Sequence, residues 1–377
     1  MVLLTKFADK YAGKLLCDFL GLFKRKDESK KGIGAIMAVQ LWGVGETILT
    51  LPAIDALRKK FPNARISVLA TSRNKDIFFG NKNIDSLILI KPNIFSVIGL
   101  ISKNIKKYDL VIDMEEYLNV SAIISFFLGD MVIGYSHGAR AKLYDTKIKY
   151  NDKQHASQTF MDLVRVLGIE HEFDKLPMLD YSKTDKNFVD NLLKNNAVKG
   201  GELTVCVAPG AAESAKSRMW PYEKYAELCD EIVYRHNARI IFVGSLAEFG
   251  LIDSIQKRME SKNTINTAGK ITLTQLFYLI KKAKIFIGND AGPMHVAAAQ
   301  GVRTIGLFGP NLPMRFGPYG AGNVGLYKGY NCEFSPCINV HKGQIPDCLY
   351  PKTSNDYQKC MKNISVDDVL KEFEKLV

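Results

Sequence analysis

No run of apolar residues in this chain of 377 approaches the ~18 that a membrane-spanning helix needs. The first residues also lack the short apolar core and small-residue cleavage site of a secretory leader. A cytosolic address without structural disulfides is therefore expected. No G-x-G-x-x-G follows the first expected strand with an acid about 20 residues further on, which argues against a nucleotide-dependent oxidoreductase. No stretch interleaves aromatic with basic residues, so nothing beyond charge points to nucleic acid. No Asp-x-Asp pair stands near the glycine turns, where a carboxylate pair would hold a divalent ion against a diphosphate.

What is present begins with charge. Fifty-one Lys and Arg against 39 Asp and Glu leave a net charge of +12. Such a balance suits an anionic partner, whether nucleic acid, phospholipid or phosphorylated substrate. Part of that charge sits at the start, where Leu4, Phe7, Tyr11, Leu15, Phe19 and Leu22 recur at helical spacing. Lys6, Lys10 and Lys14 form a second stripe, and Lys24-Arg25-Lys26 follows. This basic amphipathic helix suits an anionic membrane interface, or a dock on the protein's own surface.

From residue 35 onward strands and helices alternate, the mark of an α/β chain with parallel sheets. Strands are expected at 35–41, 66–70, 87–90, 110–113 and 131–135, with a helix at 46–60. A second series places strands at 204–208, 239–244, 284–287 and 303–308, and helices at 222–236, 248–259, 273–283 and 292–300. The expected organisation is a helix and linker at 1–31, one Rossmann-like domain at 32–180 and a second at 181–377. Ligands of open α/β sheets bind beyond the C-terminal ends of the strands, so the turns there are the candidate sites.

Three such turns carry chemistry. Leu41-Trp42-Gly43-Val44-Gly45-Glu46 places an acid at a helix N-terminus, where the dipole favours a carboxylate. Ala208-Pro209-Gly210-Ala211-Ala212 leads to Lys216, Arg218 and Trp220-Pro221, offering N–H groups and cations to a diphosphate. Gly288-Asn289-Asp290-Ala291-Gly292-Pro293-Met294-His295 opens a helix, with Pro293 suited to the first turn and Asp290 able to cap it. Each also has a plainer reading, as a tight turn, a solvated basic loop and a helix cap.

Together these stretches closely resemble glycosyltransferase family 9. Gly45-Glu46-Thr47-Ile48-Leu49-Thr50-Leu51-Pro52-Ala53, Ala268-Gly269-Lys270, the 287–299 segment, Leu307-Phe308-Gly309-Pro310 and Gly317-Pro318-Tyr319-Gly320 stand in the family's order. The resemblance implies a GT-B fold, two facing Rossmann-like domains with a cleft between them. It further implies an inverting transferase needing no cofactor, of the kind that moves heptose from ADP-heptose to lipopolysaccharide core. Glu46 then matches the catalytic base, although the family usually has aspartate there. Gly45, Gly210, Lys216 or Arg218, Glu248, Asp290, Ala291, Gly292 and His295 fall on the donor-binding positions. Ala291 replaces the common serine or threonine. The implied partners are a nucleotide-diphosphate sugar and a glycan or glycolipid acceptor, with an anionic membrane surface and no nucleic acid. The implied address is the inner face of the inner membrane. A non-catalytic sugar-nucleotide binder and a transferase acting on protein are the rival readings.

The tail holds Cys332, Cys337, Cys348 and Cys360. Four cysteines can bind structural zinc or iron tetrahedrally, although paired C-x2-C units are missing. Free thiols and disulfides are the alternatives.

Overall fold

The computed structural model describes residues 9–23, 32–41, 43–344 and 346–377. They form two compact units. One runs to Phe173 and takes in Val340–Gly343; the other comprises Asp174–Asn339 and Gln344–Val377.

The N-terminal unit is built on a six-stranded parallel sheet of order β3-β2-β1-β4-β5-β6. Its strands are β1 (Ala35–Val39), β2 (Arg65–Ala70), β3 (Ser86–Leu89), β4 (Tyr108–Asp113), β5 (Gly129–Tyr135) and β6 (Thr146–Ile148). Its helices are α1 (Lys14–Gly21), α2 (Val44–Lys60), α3 (Ile94–Asn104), α4 (Asn119–Leu128) and α5 (Ala156–Arg165). Central strands such as β1, Ala-Ile-Met-Ala-Val, are nearly continuous apolar runs because a parallel sheet is covered on both faces. β1 pairs with β2 in the register Ala35 to Arg65 and with β4 in the register Ile36 to Leu110.

The C-terminal unit repeats the plan with β7 (Thr204–Ala208), β8 (Arg239–Phe242), β9 (Thr264–Asn266), β10 (Ile285–Asn289), β11 (Arg303–Phe308) and β12 (Val324–Tyr327). Its helices are α6 (Lys183–Asn195), α7 (Tyr222–His236), α8 (Phe249–Arg258), α9 (Leu273–Lys282), α10 (Gly292–Ala299), α11 (Pro313–Phe316), α12 (Lys359–Lys362) and α13 (Val366–Glu374). The sheet order is β12-β11-β10-β7-β8-β9, all parallel. In each sheet the order reverses once, between β1 and β4 and between β7 and β10. Beyond the strand ends at such a reversal the loops diverge and leave a crevice.

The sequence pattern did not show β6, β9 and β12. All three are edge strands of only three or four residues, too short and too exposed to carry a periodic signal. Helix α6 starts at a capping box formed by Ser182 and Asp185 and belongs to the C-terminal unit, where Tyr278 of α9 donates to Asp190 at 3.0 Å.

The amphipathic N-terminal segment is described from Asp9 as a π turn, Asp9–Gly13, followed by α1. Leu4, Lys6, Phe7 and Lys24-Arg25-Lys26 lie outside the described residues. One face of α1 docks on the N-terminal unit. Cys17 is fully buried in the core layer with Val97, Ala122 and Ile123, and Leu20 packs against it. The Asp9 carboxylate accepts the N–H groups of Asn119 and Val120 at 3.0 and 2.7 Å, capping α4. Among the described residues, no helix is long and apolar enough to cross a membrane.

Candidate functional site

In the N-terminal unit the loop after β1 carries the first candidate. Gly43 precedes α2 with φ at +77°, a left-handed value that glycine adopts without strain. A Cβ at Gly43 would lie 2.0 Å from Glu46 Oε2, so this carboxylate folds back over the Gly43 backbone. Glu46 is half-buried in the first turn of α2, beside buried Gly45, where the helix dipole favours a negative charge. Trp42 lies outside the described residues.

The neighbouring strand end adds acids that the motif reading passed over. Leu41 N–H donates to Glu115 Oε1 at 2.5 Å, and Glu115 and Glu116 are both buried just after β4. Burial pushes the Tyr117 phenol well up, and the charges of Glu115, Glu46 and Glu116 push it further. These three carboxylates therefore share one neighbourhood around Tyr117, at the β1/β4 reversal. His137, after β5, has Nε2 2.6 Å from the Glu116 carbonyl. A carbonyl only accepts, so Nε2 carries the proton. Tyr150 donates to Glu116 Oε1, and His341, from the Val340–Gly343 segment, stacks on Tyr150 with ring centroids 4.3 Å apart. Beneath them Asp113 is fully buried, accepts from Ser121 at 2.9 Å and Tyr144 at 2.6 Å, and is ion-paired with Arg140 at 3.0 Å. Burial raises the Asp113 carboxyl while the Arg140 charge pulls it down. The acids following β4 were visible as residue types. Only the strand order reveals that β4 lies beside β1.

In the C-terminal unit Asn289, at the end of β10, ties the reversal together. Its Nδ2 donates to the carbonyls of Pro209 and Gly210 at 2.8 and 3.1 Å. Its Oδ1 accepts from the Trp220 N–H at 3.1 Å and the Tyr225 hydroxyl at 3.0 Å. Sequence reasoning gave Asn289 no role, because a buried asparagine among strand residues shows its partners only in three dimensions.

Asp290 does not cap α10. Ala291 occupies the cap position in extended backbone, φ −152°, with no side-chain cap bond, so the plainer reading of Asp290 is corrected. Its buried carboxylate instead accepts from Asn311 at 2.9 Å and lies 3.4 Å from Arg218 Nη1, which also donates to the Asp290 carbonyl at 3.2 Å. Arg218 Nε is buried without a hydrogen-bond partner. Gly292 and Pro293 open α10, and His295 is buried in that first turn. Lys216 stands apart from this pairing. It is exposed, and its carbonyl accepts from Gln358 at 2.6 Å.

Glu248 sits where the β7 and β8 loops converge. It accepts from Ser245 N–H and Oγ at 2.6 and 2.8 Å, closing a capping box. A Cβ at Gly210 would lie 1.6 Å from Glu248 Oε1, so this carboxylate rests on the Gly210 backbone. Gly210, Glu248, Arg218, Asp290, Ala291, Gly292 and His295 thus all belong to the strand-end turns and following helix starts of the C-terminal unit, while Gly45 and Glu46 belong to the N-terminal unit.

The sequence model of Glycosyltransferase family 9 (heptosyltransferase) matches residues 102–342. The chain belongs to glycosyltransferase family 9. It is 24% identical over 293 residues to the lipopolysaccharide core heptosyltransferase OpsX of Haemophilus influenzae, covering 76% of this chain and 82% of that protein. Among solved structures it is similar to a family 9 glycosyltransferase from Veillonella parvula, with a TM-score of 0.76 at 23% identity, covering 91% of this chain and 97% of that one. The Escherichia coli ADP-heptose lps heptosyltransferase II gives a TM-score of 0.69 at 19% identity, covering 91% and 98%. The expected family and the GT-B architecture of two Rossmann-like units are therefore borne out.

The cysteine tail of this family 9 chain packs on the turn after β11. Cys337 and Ile338 N–H groups donate to the Pro310 carbonyl at 3.1 and 3.0 Å, and a Cβ at Gly309 would lie 2.8 Å from Cys360 Sγ. All four thiols are free, and Cys348 Sγ accepts from the Gln358 N–H at 3.4 Å. Burial raises Cys337 to about 11, and neighbouring Cys348 and Cys332 add to it. Burial raises Cys360 to about 12, with Cys332 and Cys337 adding to it. Among the described residues, no group of three or more His, Cys, Asp or Glu is arranged to hold a metal ion. The zinc or iron expected at Cys332, Cys337, Cys348 and Cys360 therefore has no support among the described residues.

Proposed function

We propose that this family 9 protein transfers heptose from ADP-heptose to a hydroxyl of a lipopolysaccharide-core or related glycan acceptor, with inversion and without a metal ion. The observation that carries the reading is the Arg218–Asp290 pair beside the start of α10, whose cap position bears no side-chain bond. An uncapped helix start with a cation beside it suits a diphosphate. The ADP-heptose named for the Escherichia coli relative supplies the donor identity.

Inversion requires one displacement. Glu46 takes the proton of the acceptor hydroxyl as its oxygen bonds to the anomeric carbon. The bond from that carbon to the diphosphate oxygen breaks, and ADP leaves with the electron pair. Arg218 and the N–H groups at Gly292 meet the charge that develops on the leaving group, a role that otherwise falls to a metal. Asp290 and His295 hold the donor, and Glu248 with Gly210 meets the ribose side. An anionic membrane surface completes the partners, which suits a lipid-linked acceptor at the inner face of the inner membrane. Nucleic acid has no part in it.

The test is release of ADP from ADP-heptose in the presence of a heptose-acceptor core glycan, set against UDP-, GDP- and CDP-sugars. Turnover with ADP-heptose alone is the expected result. Binding of the donor without any release under these conditions would favour a non-catalytic binder.

A further inference from the structure

The helical layer on one face of the N-terminal sheet leaves apolar side chains in solvent at two places. On α3, Val97 is buried and Leu100 and Ile101 pack into the core layer. Ile94, Phe95 and Ile98 point the other way, and Phe95 is 83% exposed. Their spacing of three and four residues makes one stripe along the helix. On α1 and the turn after it, Cys17 and Leu20 pack inward, while Leu15, Phe19 and Phe23 are exposed, Leu15 by 68%. Phe19 and Phe23 meet edge to face at 5.0 Å, and both are exposed. Both helices pack against α4, so the two stripes belong to one helical layer.

Basic side chains surround these stripes. Lys103, Lys106 and Lys107 stand exposed at the end of α3, and Lys10, Lys14 and Lys142 at α1. Asp18 is the acid paired there, shared between Lys14 at 3.2 Å and Lys142 at 3.0 Å, so the pairings leave positive charge in excess. Exposed aromatics and aliphatics inside a lysine rim match the two parts of an anionic bilayer surface, acyl chains below and phosphate headgroups above. A solvated face has no use for three large apolar groups on each of two helices.

We infer that α1 and α3 together form a membrane-docking face, with Phe95 and Ile98 as an insertion point alongside Phe19 and Phe23. The occupant is an anionic phospholipid bilayer. The inference rests on the proposed membrane partner and assigns it to a surface that includes α3, which the N-terminal helix alone does not predict. Docking by this face holds the N-terminal unit, with Glu46, at the level of a lipid-linked acceptor.

The test uses the full chain in flotation with vesicles of phosphatidylcholine, with or without phosphatidylglycerol. The parent floats with phosphatidylglycerol vesicles and is released as salt rises. The double variant Phe95→Asp, Ile98→Asp partitions roughly tenfold less or weaker still, and Phe19→Asp behaves likewise. Both keep the parent's ADP release with a water-soluble acceptor, because neither touches the donor or Glu46. Flotation of the α3 variant equal to that of the parent would overturn the inference, as would a parent that ignores anionic vesicles at low salt. A parent that self-associates through this face, with the variants monomeric and no vesicle binding, would overturn it in favour of a second copy. If the parent floats as expected yet transfers no sugar, the transferase reading fails and the docking face stands.

Discussion

Arg218 donates from Nη1 to the Asp290 carbonyl at 3.2 Å and lies 3.4 Å from the Asp290 carboxylate. The pair fixes a guanidinium next to the start of α10. Replacing Asp290 by alanine removes the carboxylate beside Arg218 and leaves Asn311 without its acceptor. Donor affinity measured by calorimetry is expected to fall about tenfold or more, since charge-assisted bonds of this kind contribute roughly 1.5–3 kcal/mol. Arg218→Ala and His295→Ala are expected to fall in the same direction, and Lys216→Ala much less. Unchanged donor affinity in Asp290→Ala and His295→Ala would remove the donor-site assignment.

Two glycines separate the two halves of the reaction. Gly43→Ala places a methyl where Glu46 now rests and forces alanine to φ +77°. Turnover is expected to fall while donor affinity holds. Gly210→Ala displaces Glu248 instead, and here donor affinity is expected to fall. Calorimetry beside steady-state rates distinguishes them, and the same pattern in both variants would contradict the division of labour.

Asn289 makes four buried hydrogen bonds across the β7/β10 reversal. Asn289→Asp keeps the shape but turns a carboxylate oxygen toward two carbonyls. Denaturant unfolding is expected to show a loss of about 1–3 kcal/mol, the penalty for buried groups left without partners. A variant as stable as the parent would show that the loop holds without this staple.

His137 titrates below the ordinary imidazole value because burial disfavours its charged form. The unfolded chain therefore binds this proton first. Stability contributed by neutral His137 is intact above about pH 6.5 and declines as pH falls below it. Thermal unfolding from pH 7.5 to 5 is expected to show that decline in the parent and less of it in His137→Gln. Equal slopes would assign the acid sensitivity elsewhere.

Chelation addresses the leaving group. If Arg218 and the α10 start meet the diphosphate as proposed, EDTA is expected to leave the initial rate nearly intact. Immediate loss restored by magnesium or manganese would contradict the metal-free account.

Much of this was legible in the sequence, and the rest was hidden for identifiable reasons. The glycine turns after β1, β7 and β10 announced themselves because backbone approach and helix starts restrict residue choice locally. The loop cation stayed ambiguous between Lys216 and Arg218, because one-dimensional spacing cannot tell which of two nearby cations turns toward Asp290. Glu115, Glu116 and His137 went unnoticed because their grouping depends on β4 lying next to β1 and β5 next to β4. The cysteine tail suggested a ligand set from spacing alone, and among the described residues no group is arranged to hold a metal ion. The N-terminal helix reads as amphipathic from its repeat, yet among its described residues Cys17 and Leu20 pack into the core while Leu15 and Phe19 are exposed.

The central claim is that Glu46 is the base for the acceptor hydroxyl. Glu46→Gln preserves size and hydrogen bonding while removing the carboxylate, so one variant measured two ways tests it. Transfer from ADP-heptose is expected to drop by roughly 10²–10⁴-fold, the span of a general base. Donor affinity in the same preparation is expected to stay within about threefold, because Glu46 acts on the acceptor rather than the donor. A Glu46→Gln enzyme with the parent's turnover, or one whose lost activity follows entirely from lost donor binding, would contradict the account.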